Sequence, residues 1–217
     1  MAYRPAPVKL VLIPKEGKLN ATRPLGISHF EDKLIQKKMQ EILESIYDPI
    51  FLLCSYGFRP KIGCFDAILD LRNYLYKEEV EVVIDVDLAN FFGTIDHKML
   101  GDMLGMKIKD PKFLRYINRM FRAGVLTQGE LTISEEGVAQ GSCCSCVLSN
   151  IFAHYVIDVW LEETVKPLMA GKIKSFRYAD DLVICCQYSK DAIRIKNALS
   201  KRLSNTISNS MKTKPRW

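Results

Sequence analysis

A chain of 217 residues with 31 Lys and Arg against 25 Asp and Glu, a formal charge of +6, can bury a sizeable core as one large domain or two small lobes. Its 48% hydrophobic and 26% charged residues are those of an ordinary globular protein, and no apolar run reaches the roughly 20 residues of a membrane-spanning helix. The basic balance suits a polyanionic partner without requiring one.

Val8 to Pro14 is β-branched and reads as a strand. Lys15-Glu16-Gly17 reads as a turn, and Arg23-Pro24-Leu25-Gly26-Ile27 as a short extended segment. Ser28 and Glu31 have capping-box spacing, and the helix they would open carries Ile35, Met39, Ile42 and Ile46 on one stripe, ending near Asp48-Pro49. A second helix is predicted with Cys64, Ile68, Leu71 and Leu75 on one face. Val80 to Asp87 alternates as a strand with a carboxylate at its end. Helices follow from about Asp96 and between Asp110-Pro111 and Gly124, and Val125 to Ser134 reads as a hairpin around Gln128-Gly129. Ser145 to Val165 predicts a long helix. Lys174 to Tyr178 and Leu182 to Cys186 predict strands flanking Ala179-Asp180-Asp181, and Ser189 caps a last helix through Leu203. Strands and helices without a βαβα rhythm imply an α+β fold, helices packed on an antiparallel sheet.

Met1-Ala2-Tyr3-Arg4-Pro5 lacks the apolar core of a signal peptide, so a cytoplasmic location is expected. The seven cysteines then read as reduced, mostly buried small residues, with no second CxxC or His pair to complete a zinc site.

Carboxylates at the ends of apolar strands are the informative feature. Asp87 ends one strand, and Asp180 and Asp181 occupy a tight turn. Like charges brought together are costly unless a divalent cation neutralises them, and hard oxygen donors suit Mg²⁺. A pair of such ions can promote phosphoryl transfer. Taken alone, Asp180-Asp181 is more simply read as ordinary turn chemistry, since Asp favours turns. Asp85 shares its strand face with Asp87 and reads as a supporting or solvent-facing group.

Five stretches in one order go further: Arg23 to Ile27, Cys54-Ser-Tyr-Gly-Phe-Arg-Pro60, Asp87-Leu-Ala-Asn-Phe-Phe92 with Ile95-Asp-His97, Glu136-Gly-Val-Ala-Gln-Gly-Ser142, and Phe176-Arg-Tyr-Ala-Asp-Asp181. Together the chain resembles the reverse transcriptases encoded by group II introns. The resemblance implies a right-hand polymerase fold. Fingers would occupy 1–80, palm 81–207 with about 106–140 contributing to fingers, and a truncated tail 208–217, with the thumb expected to be absent. It implies RNA-directed DNA polymerisation with two Mg²⁺ ions (Mn²⁺ as an alternative) held by Asp87, Asp180, Asp181 and the backbone carbonyl of Leu88. Lys15 and Arg23 would grip the deoxynucleoside triphosphate, charge-assisted bonds on a polyanionic tail. Phe91, favoured slightly over Phe92, would exclude a 2′-hydroxyl, Gln140 and Gly141 would approach the nascent base pair, and Arg59 would touch the template backbone. The implied partners are RNA template, DNA primer and group II intron RNA, with a homodimer expected from exposed palm surface.

Three departures stand beside these matches: Ala139 where the family has Pro, Ser142-Cys-Cys-Ser-Cys146 in place of a more apolar run, and Gly93 where Asp is common. None touches an implied metal ligand. The alternatives are a module that binds intron RNA and aids splicing with little polymerisation, or a phage-defence, CRISPR-linked or diversity-generating reverse transcriptase.

Overall fold

The computed structural model describes residues 3–14, 22–88, 90–127, 129–138 and 141–206. In chain order the elements are β1 (Val8–Pro14), β2 (Thr22–Ile27), α1 (Phe30–Tyr47), α2 (Cys64–Lys77), β3 (Val82–Asp87), α3 (His97–Lys107) and α4 (Pro111–Arg122). There follow β4 (Val125–Thr127), β5 (Glu130–Thr132), α5 (Ser145–Ala153), β6 (Ile173–Tyr178), β7 (Asp181–Cys186) and α6 (Ser189–Thr206). The fold is α+β. Two compact units interleave along the chain, one from Met1–Ile46 and Phe92–Ser149, the other from Tyr47–Phe91 and Asn150–Trp217.

The first unit carries a sheet of order β2-β1-β4-β5. β1 and β2 pair antiparallel, whereas β4 runs parallel to β1 with Val125 opposite Val8. The chain enters β4 through Gly124, whose φ of +76° and approach to the Thr132 carbonyl (2.8 Å from an added Cβ) leave no room for a side chain. α3 begins where Asp96 accepts from the Met99 amide at 2.6 Å, and α4 where Asp110 accepts from the Lys112 amide at 2.8 Å ahead of Pro111. The His97 ring stacks on Phe121 at 4.4 Å and contacts the Gly137 carbonyl at 2.6 Å, tying α3 to the 136–138 segment.

Two expectations about α1 are corrected. The helix begins at Phe30, and the buried Ser28 hydroxyl meets Gln36 (3.2 Å) instead of closing a capping box. Its buried stripe is Asp32, Gln36, Met39 and Leu43; of the expected Ile35, Met39, Ile42 and Ile46, only Met39 belongs to it. Buried polar groups hold that register because they have partners: Asp32 accepts from Tyr3 and the Ala6 amide, and Gln36 accepts from Ser142 at 3.1 Å.

The second unit is built on the antiparallel sheet β3-β7-β6. Alternation places Asp85, Asp87, Asp181, Val183, Cys185 and Phe176 on one face. Ile84, Val86, Leu182, Ile184 and Arg177 lie on the other, which is buried. α2 covers part of the first face through Ala67, Leu71 and Tyr74 against Tyr56, Phe176 and Cys185. That is not the predicted stripe of Cys64, Ile68, Leu71 and Leu75; only Leu71 belongs to both, and Ile68 is 58% exposed. α6 packs on β3 and β7 through Ile195, Leu199 and Leu203. The predicted long helix is present, α5 continuing as looser π-helical turns over His154–Asp158 and Trp160–Val165.

Candidate active site

The predicted carboxylates meet at one end of the β3-β7-β6 sheet. Asp87 and Asp181 are direct cross-strand partners, the last residue of β3 and the first of β7, and Asp180 precedes Asp181 in the connecting turn. Asp85 lies on the same face two residues earlier. Burial, reinforced by the negative charges of Asp180, Asp87 and Asp85, holds the Asp181 carboxyl above its usual range. Crowded carboxylates with this electrostatic strain are donors that a hard divalent cation relieves. Among the described residues no three His, Cys, Asp or Glu side chains form a ready-made cage. A small set of carboxylates does fit Mg²⁺, which keeps water and substrate phosphate in its remaining positions.

The turn is anchored to the rest of the unit by its backbone. Ala179 has φ +58°, an uncommon conformation for a residue with a Cβ. The Leu88 amide donates to the Asp180 carbonyl at 3.2 Å, joining the ends of β3 and the hairpin. The Leu88 carbonyl, a predicted metal ligand, accepts from the Phe91 amide at 3.2 Å and keeps a second lone pair.

Beneath the turn lies a feature that sequence reading missed. Arg177 is fully buried, and its five N–H donors reach Asp158 (2.8 and 2.6 Å), Asn150 (3.0 Å), the Ala179 carbonyl (3.1 Å) and Ser55 (2.8 Å). The Cys54 to Gly57 stretch runs alongside: the Arg177 amide donates to Cys54 and the Tyr56 amide to the Arg177 carbonyl. Gly57 abuts Ala179 so closely that an added Cβ would stand 2.3 Å from the Ala179 nitrogen. The available signal was a cation in an apolar strand directly before the Asp pair; its partners, up to 122 residues away in sequence, gave none.

Other predicted site residues are distributed unequally. Phe91 is buried with its ring 6.1 Å from Phe152, whereas Phe92 is partly exposed. Gly141 has φ +103° and approaches β2, where an added Cβ would lie 2.7 Å from the Gly26 carbonyl. Arg59, the expected template contact, instead turns inward, bonding Asp48 (2.7 Å) and the carbonyls of Asp48, Leu52 and Ser55. Its side chain is only 12% exposed, so it braces the 48–55 segment. The Arg23 backbone pairs with Ile13 in the first sheet. Lys15 and Gln140 lie outside the described residues.

Comparison with known proteins defines the class that this fold and these carboxylates suggest. The chain belongs to the reverse transcriptase (RNA-dependent DNA polymerase) family, whose model matches residues 13–215. Within it, the similarity is to group II intron-encoded proteins. The chain is 36% identical over 152 residues to the group II intron-encoded protein LtrA of Lactococcus lactis subsp. cremoris, covering 70% of this chain and 25% of that protein. It is 35% identical over 161 residues to a COX1/OXI3 intron 2 protein of Saccharomyces cerevisiae, 74% of this chain and 18% of that one. The chain thus spans a quarter or less of the length of these relatives. The fold is shared with apo telomerase from Candida tropicalis, with a TM-score of 0.67 at 13% identity over 97% of this chain and 43% of that one. Members of the family generally work with divalent metals.

Proposed function

We propose that this chain forms the fingers and palm of a group II intron reverse transcriptase, adding deoxynucleotides to a primer 3′-hydroxyl on an RNA template. The observation that carries the reading is the cross-strand pairing of Asp87 with Asp181, with Asp180 beside it in the turn. The palm is assigned to 81–207, built on the β3-β7-β6 sheet, and the fingers to 1–80 with about 106–140, the first stretch including the palm-proximal helix α2 that packs on that sheet. Asp87, Asp180 and Asp181, with the Leu88 carbonyl, would hold two Mg²⁺ ions, with Mn²⁺ as a substitute. When bound, such a pair lowers the pKa of the attacking hydroxyl and stabilises charge on the leaving oxygen.

The remaining groups bind and orient. Lys15 and Arg23 grip the triphosphate, and Gln140 and Gly141 approach the nascent base pair. Phe92 is proposed to press on the sugar, because the buried Phe91 is occupied in the core. Arg59 is left out of the template contacts because its donors are spent internally. The partners proposed are an RNA template with a DNA primer, group II intron RNA and a second copy of the chain. The cytoplasm is the proposed location, a reducing compartment that suits seven free cysteines.

The test is single-nucleotide extension of a DNA primer on RNA, with saturating protein and Mg²⁺, beside folded Asp180→Asn. Incorporation by the unaltered protein that disappears in the variant is the expected result. Equal incorporation by both would remove the metal assignment. Intact RNA binding without incorporation by either would favour a splicing module.

A further inference from the structure

We propose that the Ala179-Asp180-Asp181 turn is held in place by a buried clamp, formed by Arg177 with Asp158 and Asn150 and by the backbone of Gly57, and that these are positioning residues for polymerisation. The inference rests on the reading of Asp180 and Asp181 as metal ligands. What it adds is how residues that touch neither nucleotide nor primer set where those carboxylates stand.

The turn needs such support. A left-handed Ala persists only where its surroundings over-determine it. Two contacts do so from within this unit. The Arg177 Nη1 donates to the Ala179 carbonyl at 3.1 Å, and the Gly57 backbone presses on the Ala179 nitrogen from the Cys54 to Gly57 segment. Asn150 joins the two halves. Its Oδ1 accepts from Arg177 at 3.0 Å while its Nδ2 donates to the Gly57 carbonyl at 2.6 Å. The guanidinium cannot swing away, since Asp158 holds it bidentately and Ser55 takes another N–H.

Stability alone does not account for this arrangement. A buried ion pair is a weak stabiliser, because apolar residues of similar volume often serve as well. An arginine differs from them in offering five donors in a rigid fork. Here one donor is aimed at the carbonyl immediately before Asp180. The clamp also explains why a Tyr-Gly-Phe-Arg stretch far away in sequence accompanies the Asp pair: Gly57 is the one residue type whose backbone fits against Ala179 at this distance.

The experiment compares the full chain with Gly57→Ala, Asn150→Ala, Ser55→Ala and Asp180→Asn. Leu71→Ala serves as a core control in the same unit, since Leu71 packs on Tyr56 and Phe176 but makes none of the clamp's hydrogen bonds. Three quantities are read: kcat and nucleotide KM for single-nucleotide addition, hydrogen exchange of the 177–182 amides, and Mn²⁺ binding to the substrate-free protein by electron paramagnetic resonance. The clamp variants are expected to lose about 10- to 100-fold in kcat, the scale of a small misplacement of reacting groups, with KM changed less than about twofold. They should also exchange faster at the turn and bind Mn²⁺ more weakly, while Leu71→Ala loses thermal stability but keeps wild-type values of all three. Ser55→Ala, the mildest change, carries the test if Gly57→Ala does not fold. Folded clamp variants with wild-type kcat, exchange and Mn²⁺ binding would overturn the clamp and leave the metal reading standing. So would a Leu71→Ala protein altered to the same degree. Wild-type incorporation by Asp180→Asn would instead remove the metal reading, and the clamp's role in catalysis with it. If the unaltered protein does not incorporate, exchange and Mn²⁺ binding decide.

Discussion

Phe91 and Phe92 are neighbours in sequence with different surroundings. Phe91 is 2% exposed against Phe152, so Phe91→Ala should cost about 3–5 kcal/mol of folding stability, read by urea denaturation. Phe92→Ala should leave stability nearly intact and lower discrimination against ribonucleotides by about 10- to 100-fold in a competition assay. A reversal of the two phenotypes would return the sugar contact to Phe91. Asp181 supplies a pH test. Its raised pKa means that the folded, metal-free protein binds more protons than the unfolded chain, so stability falls as pH rises from the ordinary carboxylate pKa through the raised one. Asp181→Asn should flatten that fall in thermal melts with chelator present, and added Mg²⁺ should offset it in the unaltered protein alone. A melting profile unchanged by the substitution would show that the crowding has no energetic consequence. These side chains were legible as candidates in the sequence. Which Phe was core was not, since both are apolar and a 3₁₀ turn over Phe91–Thr94 breaks the strand alternation that would have sorted them.

At the level of elements, the carboxylate hairpin and the strand ending in Asp87 were readable because alternation and turn chemistry are local. Helix starts carried by Asp110-Pro111 and Asp96 were readable for the same reason. The stripes of α1 and α2 were not. Hydrophobic periodicity marks where a helix could be buried, whereas partners such as Ser142 for Gln36 and Phe176 for Tyr74 decide where it is. The 141–144 segment shows the consequence. Gly141 approaches β2, Ser142 bonds Gln36, and the Cys144 thiol donates to the Gln36 carbonyl at 2.8 Å. Gly141→Ala should therefore destabilise the protein by about 1–3 kcal/mol, because a Cβ meets the Gly26 carbonyl and φ is positive. A melting temperature equal to that of the unaltered protein would show that the loop can move aside.

At the scale of the molecule, each unit has its own sheet and buried residues, and no helix among the described residues is long and apolar enough to cross a membrane. α2 leaves apolar groups in solvent, with Phe65 76%, Ile68 58% and Tyr76 79% exposed. This favours the proposed self-association, since contiguous exposed apolar surface tends to be covered. Sedimentation equilibrium should show a concentration-dependent dimer that Ile68→Glu weakens. A strict monomer at high concentration would end that proposal.

The sequence by itself determined what is written in local pattern: an α+β chain, a carboxylate at the end of one strand, two more in a hairpin turn, and an order of motifs that names the family. Only the tertiary structure decided that Arg59 serves the fold, that Phe91 is core, and that Arg177 turns five donors inward beneath the Asp turn. The physical reason is common to all three. A polar or aromatic side chain takes its role from the partners that satisfy it, and those partners lie on other elements that no period or spacing connects.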